Sequence, residues 1–125
     1  MSLDIYVTES EPTTEDCECI CGHKHKHTFY KHIEHFNVTH NLVKMADALG
    51  IYGIVWRPEE NGITKCGDMI KPLEDALLEL QSCPMNYDQY EPENNWGSLR
   101  GFESFIDAYL FCCKENPEAK IEANR

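Results

Sequence analysis

The chain has 125 residues, of which 42% are hydrophobic and 26% are charged, and its formal net charge is −11. This size and composition predict one globular domain, residues 1–125, with a single hydrophobic core. With 22 acidic against 11 basic residues, the surface repels phosphates, so broad binding to a nucleic-acid polymer is disfavoured and no such partner is predicted. Without an apolar run of about 20 residues, the chain is not expected to span a membrane.

The first predicted element is a strand at Leu3–Val7, where apolar and polar residues alternate and Leu3, Ile5 and Val7 face inward. Its opening lacks the basic start of a signal peptide. Together with an odd count of 7 cysteines, this favours a cytoplasmic protein with reduced thiols. After an acidic loop, a Cys/His-rich hairpin insert occupies about residues 17–30. The segment Thr28–Phe36 is ambiguous between strand and loop.

Apolar residues at helical spacing then predict three helices, at Asn41–Leu49, Met69–Leu80 and Leu99–Lys114. Thr39 or Asn37 can cap the first helix, and Asp68 is the predicted cap of the second. A last short strand at Ala119–Ala123 is expected to pair with the first one. This order predicts an α+β fold, in which an antiparallel sheet of N-terminal strand, Cys/His hairpin and C-terminal strand packs against about three helices.

The hairpin carries the densest chemistry, because Cys17–His27 reads CECICGHKHKH, with three thiols and three imidazoles at alternate positions. A two-residue turn at Gly22-His23 would place thiols and imidazoles on opposite faces. A three-residue loop at Gly22–Lys24 would instead pair the residues that close a Cys₂His₂ zinc site. The predicted metal ligands are Cys19, Cys21, His25 and His27. The alternative is a solvated ribbon, since the C-x-x-C spacing of most zinc modules is absent.

Polar clusters mark the places where helices begin, at Thr39–Asn41, Gly67-Asp68 and Asn95–Ser98. Helix starts suit anions because their N–H groups are unpaired and carry partial positive charge. The pair Trp56-Arg57 adds a stacking surface and a fork-shaped donor. The predicted ligand-binding residues are Thr39, His40, Asn41, Tyr52, Trp56, Arg57, Trp96, Gly97 and Ser98. The alternative is simple helix capping, with both tryptophans in the core.

An enzymatic interpretation depends on single residues. His40 with Asp47 or Glu59 could form an acid–base pair, and Cys66 could act as a nucleophile. None of these residues belongs to a catalytic motif, so no catalytic residue is assigned.

The segments VTHNLVKMADALGIYGIVWRPEE, GITKCGDMI and NNWGSLRGFESFIDAYL, with the opening MSLDIYV, resemble a family of small, largely uncharacterised phage and bacterial proteins. The family pattern runs (I/V)THNL-x-KMA, GIY, (L/V)WRPEE and NGWGS, and it covers roughly residues 38–125. The chain has Asn94-Asn95-Trp96 where that pattern has Asn-Gly-Trp. The resemblance implies a compact domain without an established activity. It also implies motif positions at Thr39, His40, Asn41, Tyr52, Trp56, Arg57, Glu59, Glu60, Trp96, Gly97 and Ser98.

Taken together, the residues favour non-enzymatic binding of a small anionic or nucleotide-like ligand, in a protein that could be phage-encoded. A zinc-stabilised protein-interaction module is the first alternative, and a small hydrolase using His40 is the second. Zinc is the one cofactor that the sequence suggests. Whether the chain has a protein partner or forms a homo-oligomer stays open.

Overall fold

The computed structural model describes residues 2–18, 24–92 and 97–125, with 13–18 and 24–29 described as backbone only. Within these residues the chain forms five strands and four α-helices. In chain order they are β1 (Ser2–Thr8), β2 (Thr13–Glu18), β3 (Lys24–Phe29), β4 (His32–Thr39), α1 (Val43–Ala48), α2 (Tyr52–Trp56), α3 (Ile70–Ser82), α4 (Leu99–Glu115) and β5 (Lys120–Asn124). None of the described helices is long and apolar enough to cross a membrane.

The central sheet is antiparallel, with strand order β4-β1-β5. It confirms the predicted α+β class and the pairing of the last strand with the first. Leu3, Ile5 and Val7 are all 0% exposed, as their alternation predicts. The ambiguous segment before the first helix contributes β4, which adds a strand that the sequence did not define.

The Cys/His hairpin forms a separate two-stranded ribbon, β2–β3. The ribbon follows directly from the β1–β4 pair, because the amide of Glu9 donates to the carbonyl of Lys31 at 3.0 Å between the two ladders. Its strands pair as a two-stranded sheet, and such ribbons are only marginally stable in water by themselves.

The three predicted helices are present, with bounds that differ from the predicted ones by at most two residues. Thr39 Oγ1 accepts a hydrogen bond from the amide of Asn41 at 3.2 Å and so caps the 3₁₀ turn that leads into α1. Pro72 lies in the first turn of α3, where its missing N–H costs no helical hydrogen bond. The predicted cap Asp68 instead accepts from the amides of Thr64 and Lys65, which precede it.

The helices cover one face of the sheet and enclose the core. α3 and α4 pack against each other, and α4 also contacts β4. The largest fully buried side chains are Trp56, Tyr109 and Phe102. Polar residues occupy the other face, where Asp4 Oδ1 accepts from Asn37 Nδ2 at 2.8 Å. The sheet is therefore covered on one side, as expected for alternating strands.

Candidate functional site

A cleft of about 670 Å³ opens between the start of α1 and the segment that precedes α4. Other clefts along the described chain measure about 370 to 390 Å³. The side chains that give this larger cleft its chemistry are His40, Asn41, Lys44, Gln89, Tyr90 and Glu91. Two of them, His40 and Asn41, belong to the ligand-binding set predicted from sequence. The volume of the cleft falls in the range of ~300–1,000 Å³ that is typical of small-molecule sites.

His40 is held in place by a buried tryptophan. Trp56 is 1% exposed, and its Nε1–H donates to His40 Nδ1 at 2.9 Å. Because Nδ1 accepts this hydrogen bond, the neutral imidazole carries its proton on Nε2. The expectation that Trp56 offers a stacking surface to a ligand is therefore wrong for this conformation, since a buried ring cannot be reached. Trp56 belongs to the core, and its hydrogen bond fixes the orientation of the His40 ring.

Arg57 and Tyr52 form a polar network at the end of α2 and are not among the residues that line the cleft. Arg57 Nη1 donates to Glu60 Oε2 at 2.9 Å, and Arg57 Nε donates to the Tyr52 hydroxyl at 3.3 Å. The Glu60 carboxylate, followed by the Tyr52 hydroxyl, raises the pKa of the Arg57 guanidinium. Arg57 was predicted to donate hydrogen bonds to an anionic ligand, and that role would compete with its existing ion pair to Glu60.

A second arginine closes the same end of α2. Arg125 Nη1 donates to the Trp56 carbonyl at 2.9 Å and to Glu59 Oε1 at 2.6 Å. The hydrogen bond from Arg125 lowers the pKa of the Glu59 carboxyl. Glu59, one of the two carboxylates predicted as a partner for His40, is thus bound to Arg125.

The starts of α1 and α4 do converge, as the ligand hypothesis expects. Gly97 packs so closely that an added Cβ would lie 3.0 Å from Thr39 Cγ2 and 3.1 Å from Leu42 Cγ. Trp96 lies outside the described residues, so its contribution to this contact stays a prediction.

Both helix starts are capped from within the chain. Ser98 Oγ accepts from the amide of Gly101 at 2.9 Å, and Glu91 Oε1 accepts from the amide of Leu99 at 2.7 Å. With Thr39 capping the other start, the capping interpretation holds at these two clusters. An anion would have to be recognised by side chains of the cleft and not by bare helix N–H groups.

Six residues that line the cleft are absent from the set predicted from sequence, namely Val43, Lys44, Gln89, Tyr90, Glu91 and Pro92. The available signal was the long aromatic segment before α4, because loops of that length are frequently functional. Lys44 coincides with the lysine of the quoted pattern THNL-x-KMA, but its place on an amphipathic helix does not distinguish it from any other exposed lysine.

The predicted nucleophile Cys66 is unsuited to catalysis. Its side chain is 0% exposed, and a hydrogen bond with Cys113 lowers the pKa of its thiol. Burial raises the pKa of the neighbouring Cys112 thiol to about 11. Cys66 and Cys113 are both 0% exposed between α4 and the turn before α3, where a substrate cannot reach them.

The predicted metal ligands fall partly outside the structure. Cys19 and Cys21 lie outside the described residues, whereas His25 and His27 lie in β3. The register pairs His25 with Cys17 and His27 with Glu15. The predicted pairs Cys21–His25 and Cys19–His27 are therefore wrong for this register, as is the two-residue turn. Apart from the hairpin, the described side chains contain no group of three His, Cys, Asp or Glu residues that could hold a metal ion.

No protein-family model matches this chain, and no characterised protein or solved structure matches it. The resemblance to the small phage and bacterial proteins therefore stays a prediction. The candidate site is defined by its own geometry, namely a cleft lined by an oriented histidine, a lysine and a tyrosine.

Proposed function

We propose that the protein binds a small anionic ligand, such as a nucleotide, in the cleft between α1 and the segment before α4, without catalysing a reaction. The observation that carries the proposal is the fixed His40 ring, which Trp56 orients in the same cleft as Lys44 and Tyr90. A preoriented polar group lowers the cost of binding because less side-chain freedom is lost.

Four residues of the cleft suit a flat, negatively charged molecule, while the Glu91 carboxylate is engaged by the Leu99 amide. Lys44 is exposed and supplies the positive charge, while His40 Nε2–H and the Asn41 amide are hydrogen-bond donors. The Tyr90 ring offers an apolar face on which a base or another aromatic ring can stack. In a chain with a net charge of −11, an anionic ligand requires this kind of local recognition.

Binding is favoured over the alternative of a hydrolase that uses His40. A histidine base is commonly oriented by a carboxylate that accepts a hydrogen bond from Nδ1–H. Here Nδ1 accepts from the Trp56 indole, and Glu59 is engaged by Arg125. The geometry resembles a positioned recognition group more closely than an acid–base pair.

A thermal-shift screen with nucleoside mono-, di- and triphosphates, followed by calorimetry, tests the proposal. At a ligand concentration of about 100 times Kd, we expect roughly 2.7 kcal/mol of stabilisation, which raises Tm by several degrees. Lys44→Gln and Asn41→Ala should weaken binding at least ~10-fold, or about 1.4 kcal/mol. Both residues are exposed, so these variants should fold normally.

Lys71→Gln is the matched control, because Lys71 is an exposed lysine on α3 that pairs with Asp75 and does not line the cleft. This variant makes the same change in net charge and should bind as the unmodified protein does. The proposal fails if none of the nucleotides stabilises the protein. It also fails if Lys71→Gln weakens binding as much as Lys44→Gln.

A further inference from the structure

The register of the β2–β3 ribbon brings four residues of metal-binding types to one face. Cys17 is paired with His25, and Glu15 is paired with His27. Directly paired residues of an antiparallel ladder share a face, and so do residues two apart on one strand. Glu15, Cys17, His25 and His27 therefore occupy two adjacent rungs on the same face.

The opposite face supports this register with independent chemistry. There the ladder pairs Asp16 with Lys26 and Glu18 with Lys24. Opposite charges directly across a ladder stabilise the pairing. A two-residue turn at Gly22-His23 would place Lys26 opposite Cys19, and a three-residue loop would place it opposite Ile20. Of the three registers, the observed one gives both lysines an acidic partner.

We propose that this face of the ribbon binds a zinc ion through Cys17, His25 and His27, with Glu15 as the fourth ligand. A thiolate, two imidazoles and a carboxylate form a tetrahedral donor set that zinc accepts. The thiolate and the carboxylate together balance the charge of Zn²⁺. All four residues belong to β2 and β3, so the site needs none of residues 19–23.

The spacing of a regular antiparallel ladder fits such a site. Paired residues have Cβ atoms about 4.5–5.5 Å apart, and neighbours on one strand are about 6.8 Å apart. Both spacings allow side chains to converge on an ion at bond lengths of about 2.0–2.3 Å. Zinc would connect two strands that pair with each other as a two-stranded sheet, which is only marginally stable by itself. Binding releases the Cys17 thiol proton to solvent, so affinity should fall as the pH falls.

Titration of the full-length, metal-free protein with Zn²⁺ in competition with a chelator tests the proposal, with Co²⁺ as a spectroscopic probe. We expect one ion per chain and a thiolate-to-cobalt charge-transfer band. Cys17→Ser and His25→Ala should each weaken Zn²⁺ binding by at least ~10-fold. Cys17→His should retain Zn²⁺ but lose the charge-transfer band, which separates loss of a ligand from loss of folding.

Cys83→Ser is the matched control, because Cys83 is a half-buried thiol at the end of α3, distant in sequence from the hairpin. It should bind Zn²⁺ and Co²⁺ unchanged. The proposal is overturned if the protein binds no Zn²⁺ in competition with the chelator, or if Cys17→Ser binds normally. It is also overturned if Cys19→Ser or Cys21→Ser removes the charge-transfer band, because the thiols of residues 19–23 would then hold the ion. The outcome leaves the nucleotide test untouched, since the described residues that line the cleft all lie between His40 and Pro92.

Discussion

At the scale of single residues, the hydrogen bond between Trp56 and His40 connects the core to the cleft. The indole N–H is buried with a ring that is 1% exposed, so it depends on His40 as its acceptor. A buried donor without a partner is costly, because the hydrogen bonds it made to water in the unfolded chain are not replaced. A half-buried residue of the cleft is thus fixed by one of the most buried residues of the core.

We therefore predict that His40→Ala lowers the free energy of unfolding by about 1–3 kcal/mol. His40→Gln retains a hydrogen-bond acceptor and should recover part of that loss. Urea unfolding monitored by tryptophan fluorescence measures both variants, and His32→Ala serves as the control for losing a largely exposed histidine. Equal stability of His40→Ala and the unmodified protein would show that the indole is not dependent on this bond.

The sequence identified His40, Trp56 and Ser98 as notable residues but not their partners. Ser98 could be interpreted locally, because a serine before an apolar helical pattern is a common cap. The bond between Trp56 and His40 joins residues 16 positions apart and depends on how α2 packs beside the start of α1. Local patterns carry no information on that packing, so the role of Trp56 was predicted incorrectly.

At the scale of elements, the spacing of apolar residues was enough to predict a helix or strand wherever that spacing was regular. The apolar spacing of α3 and α4 and the alternation of β1 predicted those elements well. β4 was ambiguous because its pairing with β1 shifts between Val7 and Thr8, which breaks the alternation. The hairpin register was wrong because it was inferred from turn length, whereas paired charges on the other face, Asp16–Lys26 and Glu18–Lys24, agree with the observed ladder.

The contact between the starts of α1 and α4 leads to a prediction about Gly97. Its φ of +128° is unfavourable for any residue with a side chain, and an added Cβ would press on Thr39 and Leu42. Gly97→Ala should therefore destabilise the protein by roughly 2–4 kcal/mol, as strain and contact add. Chemical unfolding and the Tm measure the loss.

Gly62→Ala provides the matched control for Gly97→Ala. Gly62 also has a positive φ, of +72°, but an added Cβ there meets nothing within 4 Å. Gly62→Ala should lower the free energy of unfolding by about 1–2 kcal/mol, from backbone strain alone. The difference between the two variants reports the contact between the helix starts. If both lose the same stability, the approach of Gly97 to Thr39 and Leu42 is looser than described.

At the scale of the whole molecule, the excess of acidic residues coexists with carboxylates that the fold stabilises. Folded-state hydrogen bonds lower the pKa of three carboxyl groups, with Asn37 the main cause for Asp4, Arg125 for Glu59 and the Thr64 amide for Asp68. Each pKa lies below its ordinary value, which is 3.8 for the two aspartates and 4.5 for Glu59. These groups are anchored at the sheet, at the end of α2 and before α3.

Because the folded state holds these protons more weakly, the unfolded chain takes them up first as the pH falls. The stabilisation is complete above the ordinary values and is lost as the pH falls through the folded-state pKa values, so stability rises with pH in this range. Asp68→Asn should reduce stability at about pH 7, and its difference from the unmodified protein should shrink as the pH falls below the ordinary aspartate value of 3.8. Urea midpoints across that range measure the convergence.

Asp75→Asn removes the same charge from an exposed site on α3, so the difference between the variants isolates the turn at Asp68. A stability gap for Asp68→Asn that stays constant with pH would show that the lost contacts do not depend on the ionised carboxylate.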